Sequence, residues 1–250
     1  SYGITFQLSD ATNKVIDMKG ISPRISGNTI TEEGRPMNEW FGYKSIGMFQ
    51  TPEEVANSPY QNPITSPGDL RFEENGGDPS SITSDDRIRL GRSDVRFPFG
   101  VRLNLSYKDF DFTVFGQGVM SNLVWSEGLT AHAFFSDNST LRTYHLDRWT
   151  PDNPNARFPK LRNGQAYSVN SQFSSFWLED ASYFRLKHIE LGYNFPEHIL
   201  KQKNISGTRI FVSAENLFVI TKYLGYDPEL PDAALYPLPK LVNVGLNFNF

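Results

Sequence analysis

The last segment of the chain alternates between apolar and polar residues. Val242, Val244, Leu246, Phe248 and Phe250 occupy every second position, and only Asn and Gly lie between them. Because successive side chains of a β-strand point to opposite faces, a period of two predicts a strand with one apolar and one polar face. We therefore predict a strand at 239–250.

Six further segments carry a similar alternation. The chain is predicted to be all-β, with about seven antiparallel strands at 1–12, 37–49, 98–107, 110–119, 183–195, 208–220 and 239–250. Lys108 and Asp109 fit a tight hairpin turn. The phase of the alternation slips near Lys187 and His188, which indicates a β-bulge. A short helix is predicted at 196–204, where Pro196 suits the first helical position.

The connections between the predicted strands are very unequal. The hairpin turn is tight, whereas the segments at about 50–97 and 120–182 are long, polar and rich in Pro, Asn, Asp and Ser. Outer-membrane β-barrels combine short turns on one side with long loops on the other. If the last strand runs toward the periplasm, both long segments and 221–238 lie outside, and 13–36 lies inside.

Seven strands predict only a part of a barrel. Single-chain bacterial barrels have an even number of strands, from eight upward, and an open sheet in lipid would leave unpaired edges. We therefore expect further strands, outside this chain, to complete the barrel. No stretch of 18 apolar residues occurs, so a membrane-spanning helix is not predicted.

Composition limits the function classes. The net charge of −4 does not favour nucleic acid as a partner, and the absence of cysteine excludes disulfides and thiolate metal sites. No P-loop, nucleophile elbow or zinc-protease motif occurs, and the four His residues lack metal-ligand spacing. Glu179 and Asp180 form an acidic pair ahead of a predicted strand, and they make a poor acid–base pair because adjacent strand residues face opposite ways. We predict no enzyme.

Several longer motifs resemble the C-terminal part of the SusC/RagA family of TonB-dependent outer-membrane transporters of Bacteroidota. They are Phe41-Gly-Tyr-Lys44, Gly47-Met-Phe-Gln50, Pro67-Gly-Asp-Leu-Arg-Phe72, Ser84-Asp-Asp-Arg-Ile-Arg-Leu-Gly-Arg-Ser-Asp94, Phe97-Pro-Phe-Gly100, Phe110-Asp-Phe-Thr-Val-Phe-Gly-Gln-Gly118, Asp147-Arg-Trp-Thr-Pro-Asp-Asn-Pro-Asn155, Ser175-Phe-Trp-Leu-Glu-Asp-Ala-Ser-Tyr-Phe-Arg-Leu-Lys187, Glu215-Asn-Leu-Phe218, Tyr223-Leu-Gly-Tyr-Asp-Pro-Glu229 and Tyr236-Pro-Leu-Pro239. The terminal Phe250 is similar to the aromatic assembly signal of outer-membrane proteins.

The resemblance implies that residues 1–250 are the C-terminal part of a 22-stranded barrel in the cell outer membrane. It further implies a plug and N-terminal strands outside this chain, a TonB complex as energy source and a SusD-like surface lipoprotein as partner. The implied function is nutrient import, with oligosaccharides ahead of peptides as substrate. The remaining partners are outer-membrane lipids.

One loop departs from the family pattern. Glu73, Asn75 and Asp78 lie where the family often has a calcium-loop-like run of alternating Asp, Asn and Gly. Their oxygens are ligands that calcium prefers, but the alternation is broken and Pro79 replaces a glycine. A solvated acidic loop is favoured over a calcium site, and no cofactor is predicted.

Two sets of residues are candidates for contact with a transported substrate. Aromatic residues of the long loops could stack on sugar rings or could pack the loop core, and packing is favoured for the last two: Trp125, Phe134, Tyr144, Trp149 and Trp177. The lumen-facing candidates lie on the polar faces of strands: Arg102, Asn104 and Asn247.

Two functions from other classes remain open at this point. A secreted carbohydrate-binding β-sandwich would also have short alternating strands and aromatic loops, but its apolar faces would form a dry core. A β-rich glycoside hydrolase would need a pair of loop carboxylates, and no such pair is visible in the sequence.

Overall fold

The computed structural model describes residues 1–134, 141–163, 169–196, 207–230 and 236–249. Two short α-helices are α1 (Pro52–Ala56) and α2 (Gly128–Ala131), and 3₁₀ turns lie at Ser84–Asp86, Thr143–Leu146 and Ser175–Trp177. The strands are β1 (Tyr2–Leu8), β2 (Arg24–Ser26), β3 (Thr29–Thr31), β4 (Glu39–Gly42), β5 (Ser45–Met48), β6 (Leu70–Phe72), β7 (Ile88–Gly91), β8 (Arg96–Tyr107), β9 (Phe110–Ser121), β10 (Leu123–Trp125), β11 (Leu178–Asp180), β12 (Tyr183–Asn194), β13 (Gly207–Glu215), β14 (Val219–Thr221) and β15 (Leu241–Asn249).

The long strands form one antiparallel sheet in the order β1-β8-β9-β12-β13-β15, and β14 pairs with the first part of β12. Six of the seven predicted strands are therefore confirmed, with β13 and β14 together covering 208–220. The hairpin turn is confirmed at Lys108, whose φ of 53° suits a tight two-residue turn. The bulge is confirmed as well, since Leu186 lies opposite Gly116 and His188 lies opposite Phe115.

The sheet has one apolar face and one polar face. Residues paired across antiparallel strands share a face, and Ile4, Leu103 and Val114 are paired in this way across β1, β8 and β9. The apolar side chains are not covered by protein in this part of the chain, since Ile4 is 70% exposed and Val244 is 72% exposed. This arrangement contradicts the β-sandwich alternative, in which such a face would pack against a second sheet.

Two glycines of β9 let aromatic rings lie against the sheet. A Cβ atom at Gly116 would collide with the ring of Phe184, and one at Gly118 would lie 2.6 Å from the ring of Phe99. The rings of Phe99 and Phe184 are stacked, with centroids 6.2 Å apart. Glycine at these two positions therefore keeps the apolar face flat and continuous.

All three long connections leave the sheet at the same end. Strand β1 runs antiparallel to β8, so the first connection (9–95) begins at the end of the sheet where the second (122–182) and the third (222–240) also begin. The opposite end of the sheet has the tight turn and the last residues of β12. The prediction that 13–36 lies on the other side was therefore wrong.

The predicted strand at 37–49 was also wrong, because the segment is split between two small sheets of the first connection. β4 pairs with β3 and β7, and β5 pairs with β6. Between β4 and β5, Tyr43 forms an isolated bridge with Ser174 of the second connection, and its N–H donates to the carbonyl of Phe173 at 3.1 Å. The aromatic side chains of this segment contact the loops instead: Tyr43 stacks on Phe72 at 5.2 Å.

Two predictions fall on residues that the structure does not describe. Most of the predicted helix at 196–204 lies outside the described residues, and so does the proposed assembly signal at Phe250. Among the described residues, no helix combines the length and apolar character needed to cross a membrane.

Candidate functional site

The first and second connections share one hydrophobic core at the end of the sheet from which the long connections leave. We call it the loop core, and its buried members are Leu70, Phe72, Ala131, Phe158 and Trp177. Residues from both connections pack into it, which is how two long loops avoid being unstructured. The third connection joins through Leu224, which packs against the same cluster.

A buried carboxylate connects the two loops at this core. Asp69 is fully buried and pairs with Arg162, whose Nε donates to Asp69 Oδ1 at 2.9 Å. Asn170 Nδ2 donates to the same oxygen at 3.0 Å, and the N–H of Ser66 donates to Oδ2 at 2.8 Å. Asp69 thus links residues 93 and 101 positions away along the chain.

Trp149 and Trp177 are buried within the long connections. They are 8% and 5% exposed. The indole N–H of Trp149 donates to Gln50 Oε1 at 2.9 Å, and that of Trp177 donates to the carbonyl of Asn170 at 2.7 Å. Their burial and their satisfied N–H groups favour the packing interpretation of these two residues.

The other three aromatic candidates are half-buried. The Trp125 ring meets Phe173 edge-on at 5.1 Å, and the Tyr144 ring lies 5.4 Å from Phe158. Phe134 is the last described residue before 141, and its φ angle is 57°. These side chains keep part of their surface accessible, so a role in substrate contact stays a prediction for them.

Two histidines lie beside the loop core. His132 is 5% exposed, with its ring 4.2 Å from that of Trp177, and His145 Nε2 lies 3.1 Å from the carbonyl oxygen of Ala131. Burial, and to a lesser extent the neighbouring His145, lowers the pKa of His132 from 6.5 to about 4. Burial also lowers the pKa of His145. Both rings are therefore neutral at pH 7.

This burial predicts an acid-sensitive loop core. An unfolded His132 takes up a proton below its ordinary pKa of 6.5, whereas the folded one does so only near 4. The stabilising contribution of neutral His132 is therefore complete above pH 6.5. The free energy of unfolding of the loop core decreases by about 3 kcal/mol as the pH falls from 6.5 to 4. Tryptophan fluorescence during urea unfolding of the full-length protein at several pH values measures it. We expect His132→Phe to flatten the pH dependence, and an unchanged slope would contradict this assignment.

The loop considered for calcium uses its polar groups internally. Glu73 pairs with Lys44 at 3.0 Å, and Asp78 accepts from the N–H of Ser80 at 2.9 Å. The N–H of Asn75 donates to the buried Asp86 at 2.9 Å. Among the described residues, no three His, Asp or Glu side chains come together as a metal site. The earlier preference for an acidic loop over a calcium site stays a prediction.

The polar face of the sheet holds the three lumen-facing candidates. Arg102 lies over the ring of Phe115 at 5.2 Å, and the hydroxyl of Thr113 donates to Asn104 Oδ1 at 3.2 Å. Asn247 lies opposite Arg209. The same face carries an ion-pair group that the sequence did not single out, in which Arg209 binds Asp111 and Glu190.

Homologous proteins resemble the chain over most of its length. It is 28% identical to TonB-dependent receptor P26 of Formosa agariphila over 98% of this chain and 27% of that protein. It is 27% identical to TonB-dependent receptor P3 of the same organism, over 88% and 23%. TonB-dependent receptor SusC of Bacteroides thetaiotaomicron is 28% identical over 60% and 15%. The chain thus spans about a quarter or less of these relatives.

Solved structures share the fold of the whole chain. The RagAB peptide transporter superposes with a TM-score of 0.72 at 21% identity, over 100% of this chain and 27% of that one. The RagAB peptide importer in its open-open state gives 0.69 at 22% identity, with the same coverage. No protein-family model matches the sequence.

Proposed function

Because the chain is homologous to TonB-dependent receptors that include SusC, we propose that it forms the C-terminal part of an outer-membrane barrel that imports a nutrient. The observation that carries the proposal is the two-faced sheet, with its exposed apolar face. Strands β8, β9 and β12 each have 12 residues, more than the 9–11 or so that a membrane-spanning strand needs. This architecture and the relatives, which are receptors, support transport rather than catalysis.

Aromatic residues at the short-turn end support a membrane position for this face. Tyr107 and Phe110 are paired, as are Phe110 and Tyr193, and the rings of Phe110 and Tyr193 lie 4.9 Å apart. Tyr107 is 73% exposed and Phe110 is 50% exposed. Such a row at one end of the apolar band matches the aromatic girdle of outer-membrane barrels.

An oligosaccharide is our proposed substrate class, with a peptide as the second candidate. Exposed tyrosines of the outer connections offer ring faces on which a sugar could stack: Tyr60 is 57% exposed and Tyr226 is 50% exposed. The peptide candidate is supported by the likeness in fold to RagAB, which is a peptide transporter. A SusD-like surface lipoprotein and a TonB complex are the proposed partners of the whole protein.

Extraction and ligand binding of the full-length protein test this proposal. We expect the native protein to fractionate with the outer membrane, to need detergent and to have a mass far above 28.4 kDa. Purified with its lipoprotein partner, it is then offered oligosaccharides and peptides of similar size, and bound ligands are identified by native mass spectrometry. A soluble protein would contradict the barrel, and a barrel that retains only peptides would contradict the oligosaccharide proposal.

A further inference from the structure

The polar face of the sheet is covered at its outer end, whereas the apolar face is not. Val119 and Tyr183 are paired on the polar face and are each 8% exposed, and Arg185 next to them is 4% exposed. On the other face at the same height, Met120 is 53% exposed and Ile220 is 64% exposed. A segment of the chain must therefore lie against the polar face of the sheet beside Tyr183 and Arg185.

Residues 222–230 of the third connection lie against the polar face at this point, and buried ion pairs attach them there. Arg185 Nη2 donates to Asp227 Oδ1 at 2.5 Å, and both side chains are buried. Arg185 Nε lies 2.5 Å from Glu229 Oε1, and Lys187 Nζ lies 2.6 Å from Glu229 Oε2. We call Arg185, Lys187, Asp227 and Glu229 the Arg185 latch.

Asp227 also fixes the course of the connection itself. Its Oδ1 accepts from the N–H of Glu229 at 3.0 Å, and its Oδ2 accepts from the N–H of Leu238 at 3.0 Å. One carboxylate therefore holds both arms of the third connection as well as strand β12. Because these groups are buried, separating them would leave charges without partners.

The bulge in β12 allows the latch cations and the apolar residues of the same strand to lie on opposite faces of the sheet. With a strict period of two, Arg185 and Lys187 would share a face with Ile189 and Leu191. The extra residue shifts the phase, so that His188 lies opposite Phe115 and Ile189 opposite Val114. The latch cations thus lie on the polar face, while the apolar residues of the same strand lie on the membrane face.

We propose that residues 222–230 of the third connection are folded inward, narrow the substrate passage at its outer end, and are held there by the Arg185 latch. The inference rests on the proposed function, since the polar face lines a passage only in a closed barrel. Arg185 and Lys187 act as positioning residues. They place Tyr226, which precedes Asp227, beside the second connection, where Arg142 lies 5.0 Å from the centre of its ring. Tyr226 thereby becomes a surface that a passing ligand meets.

Thiol labelling on intact cells tests the position of Tyr226. The chain contains no cysteine, so Tyr226→Cys can be introduced into a full-length protein from which any other cysteines are removed. A small methanethiosulfonate and a polyethylene-glycol maleimide are then applied. We expect the small reagent to react readily, and the bulky one to react about tenfold faster or more once Asp227→Asn and Glu229→Gln release the connection.

The controls separate the latch from general effects of charge. Asp85→Asn with Asp152→Asn removes the same charge from exposed positions and should leave the bulky reagent slow. Lys187→Met removes only the more exposed ion pair, Lys187–Glu229, and should give a smaller increase in the labelling rate of the bulky reagent. This variant keeps the test usable if the double variant does not assemble. Heat-modifiable migration on gels verifies that each variant forms a barrel.

Two results would overturn the inference and can be told apart. If the bulky reagent reacts equally fast before and after the latch is removed, the inward fold is wrong, while the barrel stands. Ile16→Cys, at a position that is 80% exposed on the first connection, reports the orientation of the outer end. If this cysteine is not labelled on intact cells, the proposed function fails, and the inference fails with it.

Discussion

Val244→Arg is expected to destabilise the membrane-inserted protein by about 2–4 kcal/mol. Val244 lies in the middle of β15, opposite Val212 on β13, and 72% of its surface is exposed on the apolar face. In a bilayer this surface contacts hydrocarbon, so a guanidinium there loses its hydration or thins the membrane around it. Urea unfolding of the full-length protein in lipid vesicles measures the difference in the free energy of unfolding.

The neighbouring residue provides the control for this substitution. Asn243 lies opposite Ser213 on the polar face of the same strand pair. Asn243→Arg adds the same charge and nearly the same bulk at the same depth, but toward the water-accessible side, so we expect a change below about 1 kcal/mol. If both variants unfold at the same urea concentration as the parent protein, the assignment of the lipid-facing side is wrong.

The long strands were predictable because their signal is local. In β15 and β8, apolar and polar residues alternate over a whole strand, and a sheet with one face toward lipid requires this period. The bulge was predictable for the same reason, because the phase of alternation changes at Lys187. Each of these signals lies within one segment of about ten residues.

The error at 37–49 shows the limit of that signal. The period of two identifies a strand but does not say which sheet the strand joins. β4 and β5 are only four residues long each, and the two aromatic residues of β4, Trp40 and Phe41, are adjacent rather than alternating. Their partners come from within the first connection, so strand β1 pairs directly with β8. As a consequence, the predicted direction of the first strand is the reverse of that of β1. Residues 13–36 were therefore predicted to lie on the inner side of the membrane and residues 50–97 on the outer side, although both belong to the first connection.

The buried ion pairs between distant segments of the chain have no signal in the local sequence pattern. Arg185 and Asp227 are 42 positions apart, and Asp69 and Arg162 are 93 apart. All four side chains are of a type that usually lies on the surface, so their residue types do not indicate burial. Arg185 and Asp227 both occur in the family-like motifs, which was the available hint that they are more than surface charges.

Asp69→Ala is expected to lower the local stability of the loop core by about 3–5 kcal/mol. The substitution leaves Arg162 without its carboxylate and removes acceptors from Asn170 and from the N–H of Ser66. Because Leu70 and Trp177 are hydrogen-bonded to Asn170, the loss reaches the centre of the loop core. The fluorescence of Trp149 and Trp177 during urea titration of the full-length barrel reports this local unfolding.

We expect Asp69→Ala to leave the stability of the barrel unchanged, whereas Val244→Arg should lower it. Asp69 lies in the loops, so we expect the loops to unfold at lower urea while heat-modifiable migration of the barrel stays the same. Asp69→Asn keeps the shape and one acceptor and should cost less than alanine, because a neutral hydrogen bond replaces a charge-assisted one. Asp152→Ala, at an exposed position, serves as the matched control. If the loops of Asp69→Ala unfold at the same urea concentration as those of Asp152→Ala, Asp69 does not join the two connections.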